Sequence, residues 1–416
     1  MATLSVSPAA PKPAHVPDSV VYDFDYFADP AYLLDPHERV RDLVRTAPPV
    51  FWTPRNGGHW MLISHAAIFN AARDVETFSS EVIPRVQIKE MLSRLPPGTP
   101  HIPQVVPITV DPPEHAKYRG PLNRPFSPKA INALKDDIRA LANEQISTVI
   151  DKGRCDFMRE IAEPVPVRVF LKMFGLPLER MDEYRELVRQ HLGDPEPDPR
   201  NTLKKLWKIT ASMKETILAR KDEPKNDLIS LLWQTELDGK PMDIDSMEDY
   251  CVVLFIAGLD TVMNGMGHGM RHLARHPELQ AELRANPQLI PAATEELLRR
   301  YTFTIPPRRV ARDVVLEGAP MKAGDRAMLF LPAADLDPKE YANPEQFDLK
   351  RDTVHIAFNA GPHRCLGSHL ARVELQIVYE QMLARLPPFR LDPANPPTFH
   401  GGHVVGVDSL HLLWGK

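Results

Sequence analysis

The sequence has little cysteine, and this scarcity excludes a disulfide-stabilised fold. Only Cys155, Cys251 and Cys365 occur among 416 residues, and they are odd in number and far apart. Proteins that depend on disulfides carry paired cysteines, whereas isolated thiols are typical of a reducing compartment. We therefore expect a cytoplasmic protein with free thiols.

Long apolar runs and an excess of positive charge are also absent. The most apolar stretch, VVLFIAGL at 252–259, stops at Asp260. It is far shorter than the ~20 residues that a membrane helix needs. The N-terminus has no cationic start followed by an apolar run, so no signal peptide is predicted. With a net charge of −5 there is no general case for nucleic-acid binding. We expect neither a membrane nor a nucleic-acid partner.

What the chain does contain is an ordinary globular composition, with 43% hydrophobic and 25% charged residues. Its 43 prolines punctuate the whole sequence, yet no Ser/Gly-rich linker divides it. We predict one large domain over residues 30–416. The prolines before residue 18 predict an extended, partly disordered arm over residues 1–29.

Apolar spacing predicts a mainly α fold with a minor β portion. The predicted helices cover 114–152, 160–191, 202–220, 225–236, 245–275 and 366–386. The helix 245–275 opens with Ser246-x-x-Asp249, which is similar to a capping box. Residues 308–333 and the tail 403–414 are β-like, the former with a hairpin. The absence of a βαβ rhythm argues against Rossmann and TIM architectures.

The most informative stretch is AFNAGPHRCLG at 357–367. A cysteine here could serve a structural zinc site, although only His363 accompanies it and zinc needs about four ligands. It could also be a nucleophile activated by His363, a thiolate ligand to haem iron, or a buried structural residue. The spacing of Leu366, Leu370 and Val373 predicts that a helix starts directly after Cys365. Its free N–H groups would lower the pKa of the thiol.

The pattern F358-x-x-G361-x-H363-x-C365-x-G367 resembles the haem-binding loop of the cytochrome P450 superfamily. This resemblance implies haem b as cofactor, with Cys365 as the proximal ligand of the iron. It also implies that Phe358 packs near the sulfur and that His363 bonds a haem propionate. Gly361 and Gly367 would let the backbone lie close to the porphyrin.

Other stretches resemble the same superfamily. Glu296-Leu-Leu-Arg299 is similar to its E-x-x-R helix, and NPEQFDLKR (343–351) to its meander loop, which together imply a structural brace. DPPEHAKYRGPLNRPF (111–126) resembles the start of its C helix. By this likeness His115 and Arg119 bind propionates, and Arg308 is a third such ligand.

The stretch AGLDT (257–261) lies in the predicted helix 245–275. The Thr261 hydroxyl could bond the carbonyl of Ala257 and loosen the helix there. By resemblance, Asp260 and Thr261 are the acid–alcohol pair that delivers protons in a monooxygenase. A haem-thiolate isomerase or peroxygenase, a haem-based ligand sensor and a cysteine hydrolase remain as alternatives.

Within the superfamily, GLDTV (258–262), LIPAATEELLRR (289–300) and the tail GGHVVGVDSLHLLW (401–414) resemble bacterial soluble, camphor-hydroxylating enzymes. The tyrosine that such enzymes use to hold a ketone is replaced by Pro103, and His403 stands where they place an aliphatic residue. The likeness implies a small lipophilic substrate, a monoterpenoid or norisoprenoid such as an ionone. The expected pocket residues are Pro103, Val105, Val106, Val253, Ile256, Ala257, Thr304 and Val404.

From the 416 residues of the sequence we expect no reductase domain in this chain. The resemblance therefore implies O₂ as co-substrate and electrons from a [2Fe–2S] ferredoxin served by a flavin-dependent ferredoxin reductase. We expect Lys117, Arg124, Lys129 and Arg364 to form a basic surface for an acidic ferredoxin.

Overall fold

The computed structural model describes residues 5–96, 98–192, 199–352 and 354–415. The mainly α fold with a minor β portion is confirmed. The α-helices are α1 Pro30–Leu34, α2 Pro36–Thr46, α3 His65–Arg73, α4 Arg85–Ser93, α5 His115–Asn123, α6 Pro128–Asn132, α7 Lys135–Ser147, α8 Pro164–Phe174, α9 Met181–Leu192, α10 Pro199–Asp222, α11 Leu228–Trp233, α12 Ile244–Leu259, α13 Thr261–Arg275, α14 Pro277–Ala285, α15 Ile290–Arg300, α16 Leu331–Ala334 and α17 Ser368–Arg385. The strands are β1 Val50–Thr53, β2 His59–Leu62, β3 Phe78–Ser79, β4 Arg154–Asp156, β5 Glu236–Leu237, β6 Lys240–Pro241, β7 Pro307–Val310, β8 Val314–Leu316, β9 Ala319–Met321, β10 Arg326–Leu329, β11 Phe389–Leu391, β12 Thr398–His400, β13 Gly406–Ser409 and β14 His411–Trp414.

The largest sheet has the strand order β1-β2-β10-β7-β3 and is mixed, because β2 and β10 run parallel while the other neighbours are antiparallel. Trp60 in β2 lies opposite Trp52 in β1 and Ala327 in β10, and all three are buried. The predicted hairpin is present as β8 and β9. Its turn is made by Glu317 and Gly318, both at positive φ.

The N-terminal segment packs against this sheet. Val16 and Phe24 are each 1% exposed, and the Ser7 hydroxyl donates to the Asp25 carboxylate over 2.8 Å. This packing of residues 5–29 differs from the partly disordered arm that the prolines predict. The reason is that the apolar residues between the prolines reach the hydrophobic core.

Proline and glycine divide the long predicted helices into shorter ones. The predicted helix 114–152 becomes α5, α6 and α7, because Ser127 caps a new helix whose first residue is Pro128. The predicted helix 160–191 is interrupted after α8 by Gly175, which adopts a left-handed conformation at φ 99°.

The predicted helix 245–275 forms two helices, α12 and α13, separated by Asp260 at φ −124° and ψ −36°. Its N-cap is Asp243, whose carboxylate accepts from the Ser246 N–H at 2.8 Å, so the predicted start at Ser246 is three residues late. The span Ile244–Arg275 is long and apolar enough to cross a membrane, yet 61% of its most apolar window is buried inside the protein. A core helix of a soluble protein has the same character.

Candidate functional site

The cysteine loop is a tight turn that connects the end of the sheet region to α17. The backbone N–H of Cys365 donates to the Phe358 carbonyl over 2.8 Å, which closes the loop. Asn359 and Gly361 both adopt positive φ inside it. Helix α17 then begins at Ser368, as the apolar spacing predicts. The Cys365 side chain is exposed by surface area, although atoms of the surrounding chain lie around it on all sides.

Gly361 is needed for a reason other than the one expected from the sequence. A Cβ at this position would lie 2.3 Å from the backbone oxygen of Ala72, near the end of α3. Together with the positive φ of 68°, this contact restricts the position to glycine. The glycine therefore lets the loop dock on α3. Gly367 is different, because a Cβ there would lie 4.0 Å from the Cys365 sulfur.

The electrostatics of Cys365 correct the expectation of a lowered thiol pKa. Enclosure by the surrounding chain raises the pKa of the Cys365 thiol, against the backbone N–H of Gly367 and the nearby guanidinium groups of Arg119 and Arg364. The helix start and its neighbours thus do not suffice to ionise the sulfur. A thiolate here requires further positive charge, which a coordinated metal ion provides.

Three of the four predicted propionate ligands meet around one carboxylate. The imidazole rings of His115 and His363 are 4.6 Å apart between centroids. The Nε2 atom of His363 is 3.9 Å from an Asp111 carboxylate oxygen, which is too far for a hydrogen bond. Arg308 is 4% exposed, and burial lowers the pKa of its guanidinium to about 10, against the attraction of Asp111. Asp111 is a member of this cluster that the sequence patterns did not reveal.

These three residues carry buried nitrogen atoms without a hydrogen-bond partner among the described residues. They are Nε2 of His115, Nε2 of His363, and Nε and Nη2 of Arg308. A buried donor without an acceptor costs about 1–3 kcal/mol, more when it is charged. The Asp111 carboxylate is already bonded to the Ser79 hydroxyl and the Ser80 N–H. The cluster is therefore suited to an additional anionic group, and the two propionates of a haem fit it.

Arg119, the fourth predicted ligand, lies on the cysteine side of the site. Its Nη2 atom donates to the Arg364 carbonyl over 2.7 Å. Burial lowers the pKa of Arg119, and the nearby sulfur of Cys365 opposes that shift. Arg119 thus contacts the loop that carries the sulfur.

The break between α12 and α13 has the loosened geometry that the sequence predicts. The Thr261 hydroxyl donates to the Ala257 carbonyl over 3.2 Å. The side-chain amide of Asn264 donates to the backbone carbonyl and the carboxylate of Asp260. Burial raises the pKa of Asp260, while the charges of His400 and Arg185 oppose this. An acid with a raised pKa next to a hydroxyl can hold and release a proton at this point.

Glu296 and Arg299 form a buried brace. They are 3% and 0% exposed and make two hydrogen bonds of 2.8 Å to each other. Arg299 also donates to the carbonyls of Asp335 and Pro344, and Glu296 accepts from Arg351. The pair thus joins α15 to the segment that precedes the cysteine loop, as the resemblance implies.

A second ion pair supports the loop, and the sequence patterns did not reveal it. The guanidinium of Arg372 lies 4.5 Å from the ring centroid of Phe358 and donates twice to Glu295. Glu295 also contacts His355 over 3.1 Å. Although burial acts in the opposite direction, hydrogen bonds from His355 and Arg372 lower the pKa of Glu295 to about 2.

The expected pocket residues form two groups. Val105 and Ile256 pack against the hydrophobic cluster that contains Val253. Thr304 and Val404 pair with each other across an isolated β-bridge. Ala257 is exposed in the middle of an otherwise buried helix, as expected of a residue that faces an internal cleft. Pro103, Val106 and Val253 are buried, whereas Val105, Ile256, Thr304 and Val404 are partly accessible.

Two polar residues that the predicted apolar lining does not include interact electrostatically with Asp260 and His403. Arg185 and His191 on α9 are close enough to Asp260 and His403, respectively, to change their electrostatics. Burial lowers the pKa of His191 to about 4, and its Nδ1 atom has no hydrogen-bond partner among the described residues. The zinc alternative has no support, since the described residues contain no group of three or more suitable ligands.

Comparison with known proteins gives consistent results. The family description "Cytochrome P450" matches residues 198–405. A probable cytochrome P450 127A1 from Sinorhizobium fredii is 33% identical over 414 residues, which is 97% of each chain. Cytochrome P450-terp from a Pseudomonas species is 30% identical over 374 residues, covering 83% of this chain and 85% of that protein. The crystal structure of CYP101J2 is 32% identical with a TM-score of 0.84, covering 98% of this chain and 100% of that one.

The helical fold and the cysteine loop with its buried donors define a haem-thiolate protein. The similarities then show that the chain belongs to the cytochrome P450 family. It is a cytochrome P450 monooxygenase with haem as its cofactor. Its structural neighbours include members of the CYP101 group, the camphor-hydroxylase family.

Proposed function

We propose that this monooxygenase hydroxylates a small lipophilic terpenoid of monoterpenoid or norisoprenoid size. The observation that carries the proposal is the accessible apolar surface of Ala257 beside the break in the central helix. Ile256, Val105 and Val404 are also partly accessible within the protein. Such surfaces bind small apolar molecules mainly by burial. The similarity to a protein named cytochrome P450-terp supports the same substrate class.

Residues of this chain would hold the haem b from both sides. Cys365 supplies the thiolate for the iron, and its Gly367 N–H contact stabilises the charged sulfur. His115, Arg308 and His363 donate to the propionates through the nitrogen atoms that lack partners in the protein. The bound haem supplies the chemistry, in which dioxygen, two electrons and two protons convert a C–H bond to C–OH and release water.

Asp260 and Thr261 serve proton delivery in this proposal. Burial raises the pKa of Asp260 and so favours the protonated carboxyl group, and Asn264 fixes its orientation through the 3.2 Å hydrogen bond. Arg185 reaches Asp260 electrostatically and forms an ion pair with Glu163. A movement of Arg185 between the two carboxylates would connect Asp260 to the outside of the cleft.

Electrons would come from a [2Fe–2S] ferredoxin, which a flavin-dependent reductase reduces. Arg124, Lys129 and Arg364 are exposed and have no ion-pair partner among the described residues. Lys117 is also exposed, but Asp238 neutralises it at 2.8 Å. The three unpaired cations therefore form the docking surface for an acidic partner, and Lys117 contributes less than the sequence suggests.

The test combines spectroscopy with turnover. The reduced protein under carbon monoxide should show a strongly red-shifted Soret band, and Cys365→Ser should abolish it. A panel of monoterpenoids and norisoprenoids should shift the ferric Soret band from low spin to high spin, and NADH with a ferredoxin and its reductase should give hydroxylated product. If the carbon monoxide spectrum is normal but no panel member shifts the spin state, the substrate class is refuted.

The docking surface is tested separately. Arg124→Glu together with Lys129→Glu should slow ferredoxin-driven turnover at low salt, while hydrogen-peroxide-driven turnover stays unchanged because it needs no electron donor. Lys117→Glu is the matched control, since its charge is already paired. Equal effects of the two charge reversals would contradict the assignment of the surface.

A further inference from the structure

His403 is a polar residue in the cleft that the proposed reaction leaves without a role. It lies in the segment 401–405, which backbone hydrogen bonds hold on both sides. The Gly402 N–H donates to the Tyr26 carbonyl over 2.9 Å, and the Ile305 N–H donates to the His403 carbonyl over 2.8 Å. The Val405 N–H donates to the Phe303 carbonyl over 2.7 Å. The backbone that carries the imidazole is therefore fixed.

The imidazole itself is fixed in one tautomer. The Nδ1 atom of His403 is 3.2 Å from the Ile305 carbonyl oxygen. A carbonyl oxygen can only accept, so the proton must be on Nδ1. Burial lowers the pKa of His403, and the charge of Arg326 acts in the same direction, although the bond to Ile305 opposes it. The ring is neutral at pH 7, and its Nε2 atom is a lone-pair acceptor.

This acceptor is open to a partner from outside the described chain. The His403 side chain is exposed by surface area, although the protein atoms around it lower its pKa. Its Nε2 atom has no hydrogen-bond partner among the described residues. The rings of Tyr26 and Phe27 lie 5.8 Å and 5.9 Å away between centroids and cover one side. Beside these two rings, Nε2 is free to accept a hydrogen bond from a bound molecule.

Helix α9 relates His403 to the reacting centre. Arg185 on this helix is electrostatically coupled to Asp260, and His191 to His403. The two helix residues are six apart, which corresponds to about 9 Å along an α-helix. Hydrogen bonds link the two places directly. The Val407 N–H, four residues after His403, donates to the Asn264 side-chain oxygen over 2.9 Å, and the Asn264 amide donates to the Asp260 carboxylate over 3.2 Å. A molecule of monoterpenoid size held at His403 would therefore extend towards Asp260.

Given the proposed function, on which this inference rests, we propose that His403 selects substrates that carry a hydroxyl group. The Nε2 lone pair accepts a hydrogen bond from the substrate O–H and orients the carbon skeleton towards the helix break. A ketone cannot replace the hydroxyl, because it has no proton to donate and the ring offers none at Nε2. Pro103 stands where the resembling enzymes have a tyrosine that donates a hydrogen bond to a ketone. In this chain the polar group offered to the substrate is instead an acceptor, Nε2 of His403. The specificity changes from carbonyl to hydroxyl compounds.

The binding test uses four compounds with one bornane skeleton, namely bornane, camphor, borneol and bornyl methyl ether. Affinity is measured by isothermal titration calorimetry and by the spin-state shift. Borneol should bind about tenfold more tightly than camphor or the ether, which is the effect of one neutral hydrogen bond in a buried site. Equal affinities for borneol, camphor and the ether would overturn the inference, although the substrate class would stand. Failure of all four compounds to bind would refute both proposals.

Two variants at the same position separate the hydrogen bond from shape. His403→Leu should remove the preference for borneol while bornane affinity stays within about twofold. His403→Gln, whose amide both donates and accepts, should restore camphor to within about twofold of borneol. The matched control is His276→Leu, at a partly exposed histidine outside the cleft. A borneol preference that survives in His403→Leu would overturn the inference.

The tautomer is tested without any ligand. In the reduced carbon monoxide complex with ¹⁵N-labelled histidine, the nitrogen shifts assigned through His403→Gln should show protonated Nδ1 and unprotonated Nε2. Protonation at Nε2 instead would refute the role of His403, independently of the substrate class.

Discussion

The buried pair of Glu296 and Arg299 allows a quantitative prediction for Arg299→Ala. Arg299 is fully buried, and its removal leaves the Glu296 carboxylate with Arg351 as its remaining cation at 3.1 Å. It also leaves the carbonyls of Asp335 and Pro344 without their donor. Breaking a buried ion pair costs about 3–5 kcal/mol. With an unfolding entropy of about 0.9 kcal/mol/K for a chain of this length, Tm should fall by about 3–6 °C.

The assay is urea and thermal unfolding of the haem-loaded protein, followed by far-UV circular dichroism and by the Soret band. The chain contains a matched control with the same Glu-x-x-Arg spacing, Glu186 and Arg189 on α9, whose side chains are 44% and 73% exposed. Arg189→Ala should leave both unfolding curves unchanged, because exposed ion pairs contribute little. If Arg299→Ala and Arg189→Ala unfold alike, the brace does not stabilise the cysteine loop.

Three further predictions concern the candidate site and its histidines. Asp260→Asn should lower the rate of hydroxylation by about 100-fold, because an amide cannot deliver a proton. The control Asp245→Asn, near the start of α12, should have no effect. A loss below twofold in Asp260→Asn would contradict the proton role. His115→Ala should speed haem transfer to apomyoglobin by about tenfold through the loss of a propionate donor, and an unchanged rate relative to His276→Ala would contradict that assignment. The pKa of His268 is lowered to about 4, chiefly by burial, so its contribution to stability is present above the unfolded pKa and is lost as pH falls towards 4. Urea unfolding should show a loss of about 1.4 kcal/mol per pH unit from this histidine below pH 6.5, and a flat profile would contradict it.

The sequence predicted those parts of the site that depend on short spacings. The cysteine loop, the Glu296–Arg299 pair and the bond between Thr261 and Ala257 each lie within one turn or one helix, so the order of residues determines their geometry. The α class followed from apolar periodicity in the same way. Helix boundaries were predicted less accurately. Asp243 and Ser246 are both residue types that cap helices, and only the structure shows that Asp243 accepts from the Ser246 N–H and is therefore the N-cap.

What could not be predicted depends on contacts between distant segments. Asp111 joins the donor cluster because β3 brings Ser79 beside it, and no local pattern indicates this. Gly361 is required by Ala72, almost 300 residues earlier in the chain. The thiol pKa was predicted in the wrong direction, because the helix start is visible in the sequence whereas the enclosure of Cys365 is not.

The contact of Asn264 with the C-terminal strand has a consequence for the order of folding. Its side-chain oxygen accepts from the Val407 N–H over 2.9 Å, while its nitrogen holds Asp260. Asn264 and Val407 are 143 residues apart in the sequence. When α13 has just left the ribosome, Val407 has therefore not yet been synthesised. During synthesis Asn264 therefore lacks its Val407 partner, and we expect the proposed proton-delivery site at Asp260 to be among the last features to become ordered.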